Sequence, residues 1–353
     1  MTGYLKLTAY VGERQRSGSR FVAEAMLDLF ADRRVANSVM MRGVTGFGAH
    51  HVLRTDESLS LSEDPPLTIA ALDTETVISA LAGDVATLMP HGLITIERAR
   101  LVSGVEALSS DTGSVRLTVA LGRNRRVGKS PAFAAVCDLL YEHRFDGATA
   151  LLGVDGTVGG QRRRAQFFSR NLDVPLAVIA VGTVEQARAV LPDLRAMLTN
   201  PLLVAERIRV CKRDGMLFQR PPALPATDSQ GRPLWQKLTI HSCESTGHDG
   251  QPIHRAIVRE LRRQRAATGA TVLRGVRGFQ GERAPRGDRF FQWGRQVPVT
   301  TIIIDTPERI ARSFDLVDEI TADHGLVTCE MVPALLGLGG PRPRGGLEPA
   351  VYP

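Results

Sequence analysis

The chain has 353 residues, 43% of them apolar and 23% charged, with a net charge of +7. At about 100–200 residues per domain this length allows two or three domains, and the composition excludes a disordered or collagen-like chain. No apolar run approaches the roughly 18 residues of a membrane helix. The opening MTGYLKLTAYVGER lacks a basic stretch followed by an apolar one, so no secretory leader is expected and the reading is cytoplasmic. Cys137, Cys211, Cys243 and Cys329 form no C-x-x-C pair, which fits scattered reduced thiols.

In chain order, residues 4–11 alternate as a strand. Ser19 can cap a helix running to about Arg34, with Phe21, Ala25, Leu29 and Phe30 on one face. Residues 38–44 read as a second strand, 45–65 as a long polar loop, and 66–72 as a third strand. A helix over 74–89 and a strand over 93–100 follow, so the order is β-α-β-β-α-β. The same order returns with helices near 131–144 and 183–199, the second opened by Thr183 and Gln186 at capping-box spacing. It returns again with helices near 252–266 and 307–322, the latter with Thr306 as cap and Pro307 at the first helical position.

The recurrence is a true internal repeat. Leu5-Lys6-Leu7-Thr8, Val115-Arg116-Leu117-Thr118 and Gln236-Lys237-Leu238-Thr239 open the three units. Arg42-Gly43-Val44, Leu152-Gly153-Val154 and Arg274-Gly275-Val276 follow, with the glycine 36, 36 and 37 residues after the landmark leucine. A proline then opens an apolar strand at Pro66, Pro175 and Pro298, and Glu97, Glu206 and Glu330 mark the last strand, where a structural role is expected. The division is 1–110, 111–214 and 234–336, with a proline-rich linker over 215–233 and a Gly/Pro-rich tail over 337–353 expected to be disordered. Charge is uneven: residues 111–232 hold 18 Lys/Arg against 11 Asp/Glu, a net +7, which favours an anionic partner there.

Arg42-Gly43-Val44-Thr45-Gly46-Phe47-Gly48, followed by Leu59-Ser60-Leu61-Ser62-Glu63-Asp64-Pro65-Pro66, resembles the signature of the domain of unknown function family 190, a PII-like family. Arg274-Gly275-Val276-Arg277-Gly278-Phe279 repeats it in part, and Leu152-Gly153-Val154-Asp155-Gly156-Thr157 is degenerate. The resemblance implies an α+β fold of three tandem ferredoxin-like repeats forming an intrachain pseudo-trimer. It implies a signalling role without catalysis, with an effector such as an adenine nucleotide or an anion held in clefts between repeats. It also implies a regulated partner such as a fluoride channel or another transporter.

The ligand candidates are Arg42, Gly43, Gly46, Phe47 and Gly48 in the first unit and Arg274, Gly275, Gly278 and Phe279 in the third. Arginine forks onto phosphate or carboxylate, and glycines at a strand-to-loop junction let backbone approach a ligand. Gly122-Arg123-Asn124-Arg125-Arg126-Val127-Gly128-Lys129-Ser130 has one residue too many for a P-loop, so an NTPase is not expected, but Lys129 beside a helix start remains an anion candidate. Arg162, Arg163 and Arg164, with Phe167, Phe168 and Arg170 nearby, and Arg289, Phe290 and Trp293 in the third unit, are partner-docking candidates. The alternative for the arginine-rich second unit is nucleic-acid binding. His241, Cys243, His248 and His254 match no standard metal spacing, nor does His50-His51, so no metal is expected. No catalytic motif stands out.

Overall fold

The computed structural model describes residues 3–49, 51–55, 64–108, 112–164, 174–287 and 296–353. The first unit contains β1 (Tyr4–Gly12), α1 (Val22–Asp32), β2 (Asn37–Phe47), β3 (Pro66–Thr74), α2 (Glu75–Leu88) and β4 (Gly92–Leu101). The second contains β5 (Ser114–Gly122), α3 (Ala132–Glu142), β6 (Gly147–Leu152), β7 (Asp155–Val158), β8 (Pro175–Thr183), α4 (Val184–Met197) and β9 (Leu202–Arg213). The third contains β10 (Trp235–Cys243), α5 (Ile253–Arg263), β11 (Ala270–Arg274), β12 (Arg277–Gln280), β13 (Pro298–Asp305), α6 (Pro307–Ile320) and β14 (Leu326–Val332), and ends in a hairpin of β15 (Ala334–Leu338) and β16 (Arg344–Gly346).

Each unit has the same antiparallel sheet. Its first strand lies in the middle, paired on one side with the last strand and on the other with the third, which carries the second strand at the edge. Alternation puts Leu5, Leu7, Ala9 and Val11 of β1 against helices that bury Met26, Leu27, Phe30, Ile78, Leu81 and Val85. Each further unit builds its own core in the same way. The expected capping box at Thr183 and Gln186 is present, as are the Thr306 cap and the proline at the start of α6. Ser19 does not cap α1: a short hairpin of Arg16–Ser17 and Arg20–Phe21 precedes the helix, whose N-cap is Phe21.

Two further expectations are corrected. The second strand of the first unit does not stop at Val44 but runs on through Phe47, because Thr45, Gly46 and Phe47 pair with Val272, Thr271 and Ala270 of the third unit. The tail is not disordered as expected. Leu335 to Gly337 pair with Gly346 to Arg344, Ala350 is buried, and the Tyr352 hydroxyl donates to Val332 O at 2.7 Å. Its glycines and prolines shape a hairpin and a turn, and Arg344 stacks over Trp235 and pairs with buried Asp305. The 215–233 segment is extended and tied back: the Phe218 N–H donates to Cys211 O, and the Gln236 side chain donates to Pro222 O.

Strands close the three units into a ring. The extension of β2 lies on β11, β12 lies on β6, and β7 lies on β2, so every unit lends a strand to one neighbour and receives one from the other. The last strands also meet: β9 pairs with both β4 and β14, and β15 pairs with β4.

Candidate functional site

Two sets of side chains recur around this ring. The first lies where the central strands converge. Lys6 faces Glu97 across its own sheet, Arg116 faces Glu206, and Lys237 faces Glu330. Within each unit the pair is close: 3.0 Å for Lys6–Glu97, 2.9 Å for Arg116–Glu206 and 3.1 Å for Lys237–Glu330. Each cation also reaches the next unit's glutamate: Lys6 to Glu206, Arg116 to Glu330 and Lys237 to Glu97. Three positive and three negative charges thus alternate in a closed, buried cycle.

Burial alone would raise the carboxyl pKa values, but the surrounding cations prevail. Lys237 and Lys6 hold Glu97 down to about 2, and Arg116 and Lys6 hold Glu206 well below the usual range. Burial works against the Lys6 ammonium too, yet Glu206 and Glu97 raise it above its ordinary value. Among the described residues the three glutamates are the one group of three or more His/Cys/Asp/Glu whose ligand atoms lie within 4.8 Å of one another. The three cations already neutralise them, so the group is an ion-paired junction. The His241, Cys243, His248 and His254 run is not drawn together: His241 is buried beside Thr300, while His248 lies near Asp249.

The second set is the Arg-Gly-Val segment. Its glycines do not sit at a loop mouth as expected. They let one strand lie flat on its neighbour: a Cβ on Gly46 would stand 2.5 Å from Ala270 O, and one on Gly278 would stand 2.0 Å from Ala148 O. Gly43 and Gly275 are similarly crowded by neighbouring backbone and proline, whereas Gly48 is exposed. Phe47 is buried in the core of the third unit and Phe279 in that of the second, which commits both rings to packing between units. Arg42 is exposed and paired with Glu13 at 2.7 Å, and Arg274 is partly buried and paired with the corresponding Glu244 at 2.7 Å. The second unit has Leu152 and Arg123 at these two places, so the pair is lost there.

Arg162 is partly buried between two carboxylates, whereas Arg164 is exposed in a surface pair. Arg162 bridges Asp28 and Asp155, and Arg164 pairs with Glu24 at 2.8 Å. Arg163 is exposed, and Lys129 is exposed on a short hairpin before α3, apart from the arginine segment. Arg289, Phe290, Trp293, Phe167, Phe168, Arg170, His50 and residues 59–63 of the signature lie outside the described residues.

At the seam between the first and third units is a cavity of about 250 Å³. Thr45 and Leu53 line it from one side, and Gln251, His254, Arg255 and Arg274 from the other. Of the expected ligand residues, only Arg274 lines it. Sequence reasoning placed His254 in a metal-like run and passed over Gln251, Arg255, Arg259 and Arg262. The signal available was the i, i+4, i+7 spacing of Arg255, Arg259 and Arg262, which puts them on one face of α5.

A family model described as "Uncharacterized ACR" (DUF190) matches the chain three times, over residues 4–101, 114–210 and 235–334. A UPF0166 protein of Aquifex aeolicus (strain VF5) is 33% identical over 96 residues, which is 27% of this chain and 88% of that protein. A protein about one unit long therefore aligns with a single unit of this one.

Proposed function

The chain belongs to the DUF190 family in three tandem copies, and from this premise we propose that it is a non-catalytic, PII-like regulator. Three ferredoxin-like units form, within one chain, the pseudo-trimer that separate subunits would otherwise assemble. A small effector, a nucleotide or an anion, binds at a seam between units and alters how the chain meets a partner. The resemblance points to a cytoplasmic protein acting on a membrane transporter or channel. No described helix is long and apolar enough to cross a membrane itself.

The observation that carries this reading is the cavity at a seam where two units meet through exchanged strands. A ligand there touches both units, so its binding energy depends on how they sit together, which is the requirement for coupling occupancy to shape. Of the arginines that suggested nucleic acid, Arg162 is held by Asp28 and Asp155 and Arg164 is paired with Glu24, and no observation favours that second reading.

The test is thermal unfolding of the full chain against a panel of nucleotides and small anions. A ligand specific to the folded state adds about 2.7 kcal/mol at one hundred times its dissociation constant, enough to raise the Tm by a few degrees. Arg274→Ala is expected to lose the response and Arg42→Ala to retain it. If no compound moves the Tm, the regulator reading fails.

A further inference from the structure

The three seams share one plan but differ in what fills them. At the seam of the second and first units, Arg162 bridges Asp155 (2.7 Å) and Asp28 on α1, and Arg164 takes Glu24. At the seam of the third and second units, Arg277 takes Asp138 on α3 at 2.6 Å, and Phe279 meets Tyr141 edge-on. Both seams are closed by ion pairs of the chain itself.

The seam of the first and third units reverses the charge. Aligned on Leu7, Leu117 and Leu238, the helix positions of Glu24 and Asp28 become Arg255 and Arg259 on α5. Aligned instead on Gly43 and Gly275 of the Arg-Gly-Val segment, the strand position of Arg277 becomes Thr45. Among the described residues no Asp or Glu lines the cavity that results, while Arg255, Arg259, Arg262 and Arg274 do. Glu244 beside Arg274 and Glu260 beside Arg259 offset part of this charge.

Independent evidence for a ligand comes from two other lining groups. Gln251 Nε2 and His254 Nδ1 are closed off from solvent and have no hydrogen-bond partner among the described residues. His254 is only 2% exposed. Leaving a buried polar atom unpaired costs about 1–3 kcal/mol, and such atoms in a folded protein call for an explanation. An amide N–H and a neutral imidazole N–H would be answered by the oxygens of an anion. Burial, with Arg274 alongside, keeps that imidazole neutral by lowering its pKa to about 4.

We infer that this cavity is the effector site of the chain, that it takes a compact polyanion bearing phosphoryl groups, and that each chain holds one. The inference rests on the regulator reading and narrows it. Guanidinium groups match phosphoryl oxygens in fork geometry. A volume of 250 Å³ falls below the roughly 300–1,000 Å³ of pockets for drug-sized ligands, so a diphosphate fits whole and a nucleotide would lodge only its phosphates.

Calorimetric titration of the full chain with inorganic pyrophosphate tests this. One equivalent per chain is expected. Gln251→Leu should weaken binding about tenfold, the scale of one lost charge-assisted hydrogen bond, without lowering the Tm of the ligand-free chain. The double variant Thr45→Arg/Arg259→Asp rebuilds here the pair that closes the neighbouring seam, and should abolish binding. If that variant does not fold, Gln251→Leu decides. Three equivalents per chain, or one whose affinity neither variant changes, overturns the single-site assignment. No heat with pyrophosphate, while another compound in the thermal panel binds, overturns the anion class and leaves the regulator reading standing. Silence in both experiments removes both.

Discussion

The charged junction and the seams are made by the same three units, yet they have fared differently. At the junction every unit retains one cation and one glutamate, and the only variation is Arg116 in place of lysine. At the seams the helix residues facing the neighbour are acidic in the first unit, carry a single aspartate in the second and are basic in the third. The contrast separates two jobs. A buried cycle of ion pairs tolerates little change, because removing any member strands a charge that water cannot reach. A half-exposed seam can change sign, because its neighbours and solvent screen the difference.

The largest effect should come from breaking the conserved side of this contrast. Arg116→Met removes a cation in contact with Glu206, Glu330 and Glu97. Loss of one partner from a buried network costs about 3–5 kcal/mol, read as a lower midpoint in urea. A loss under about 1 kcal/mol, the scale of a surface pair, would erase the distinction between junction and seam.

A second effect depends on pH and touches both regions. His241 near the junction and His254 at the open seam are each pushed by burial, then by Arg116 and Arg274 respectively, from 6.5 to about 4. Their folded values lie below their unfolded ones, so the unfolded chain binds more protons between these limits. Stability therefore falls as pH drops from 6.5 to about 4, by at most about 3 kcal/mol for one imidazole. Glu97, held at about 2, contributes stability that begins to drain only below 4.5. His241→Asn should flatten the upper part of a urea-midpoint profile against pH, and a profile unchanged by it would place the acid sensitivity elsewhere.

The smallest effect belongs to the tail. The Tyr352 hydroxyl accepts from the Trp235 N–H at 3.1 Å while donating to Val332 O. Tyr352→Phe should cost about 1 kcal/mol and leave both pyrophosphate binding and the pH profile unaltered. A larger loss by thermal unfolding would make the tail part of the ring rather than its fastening.

Much of this architecture was legible in the sequence, for identifiable reasons. Period-two alternation, repeated three times, exposed the strands, and Thr183 with Gln186 marked a helix start by local chemistry alone. The repeated Lys/Arg and the repeated glutamate were visible too, but that they face each other depends on a register set by two strands about 90 residues apart. The run of β2 past Val44 was not legible, since its partner is Ala270–Val272 and nothing local announces a strand completed at that distance. The tail misled because glycine and proline shape hairpins as readily as they loosen chains. At the candidate site Arg274 was found through the repeat, whereas Gln251 and His254 stood out only once the first unit was seen leaning on α5.

The ring of lent strands also governs how the protein can be made. Thr45 to Phe47 wait for Ala270 to Val272, so the first unit leaves the ribosome with an edge that cannot be closed until more than 220 further residues have been synthesised. Such pairings form slowly, and an open edge invites pairing with another nascent chain. The third unit supplies the missing strand and, through β15, also covers the free side of β4, so the first unit's edges stay open to aggregation until residues 270–338 have been made.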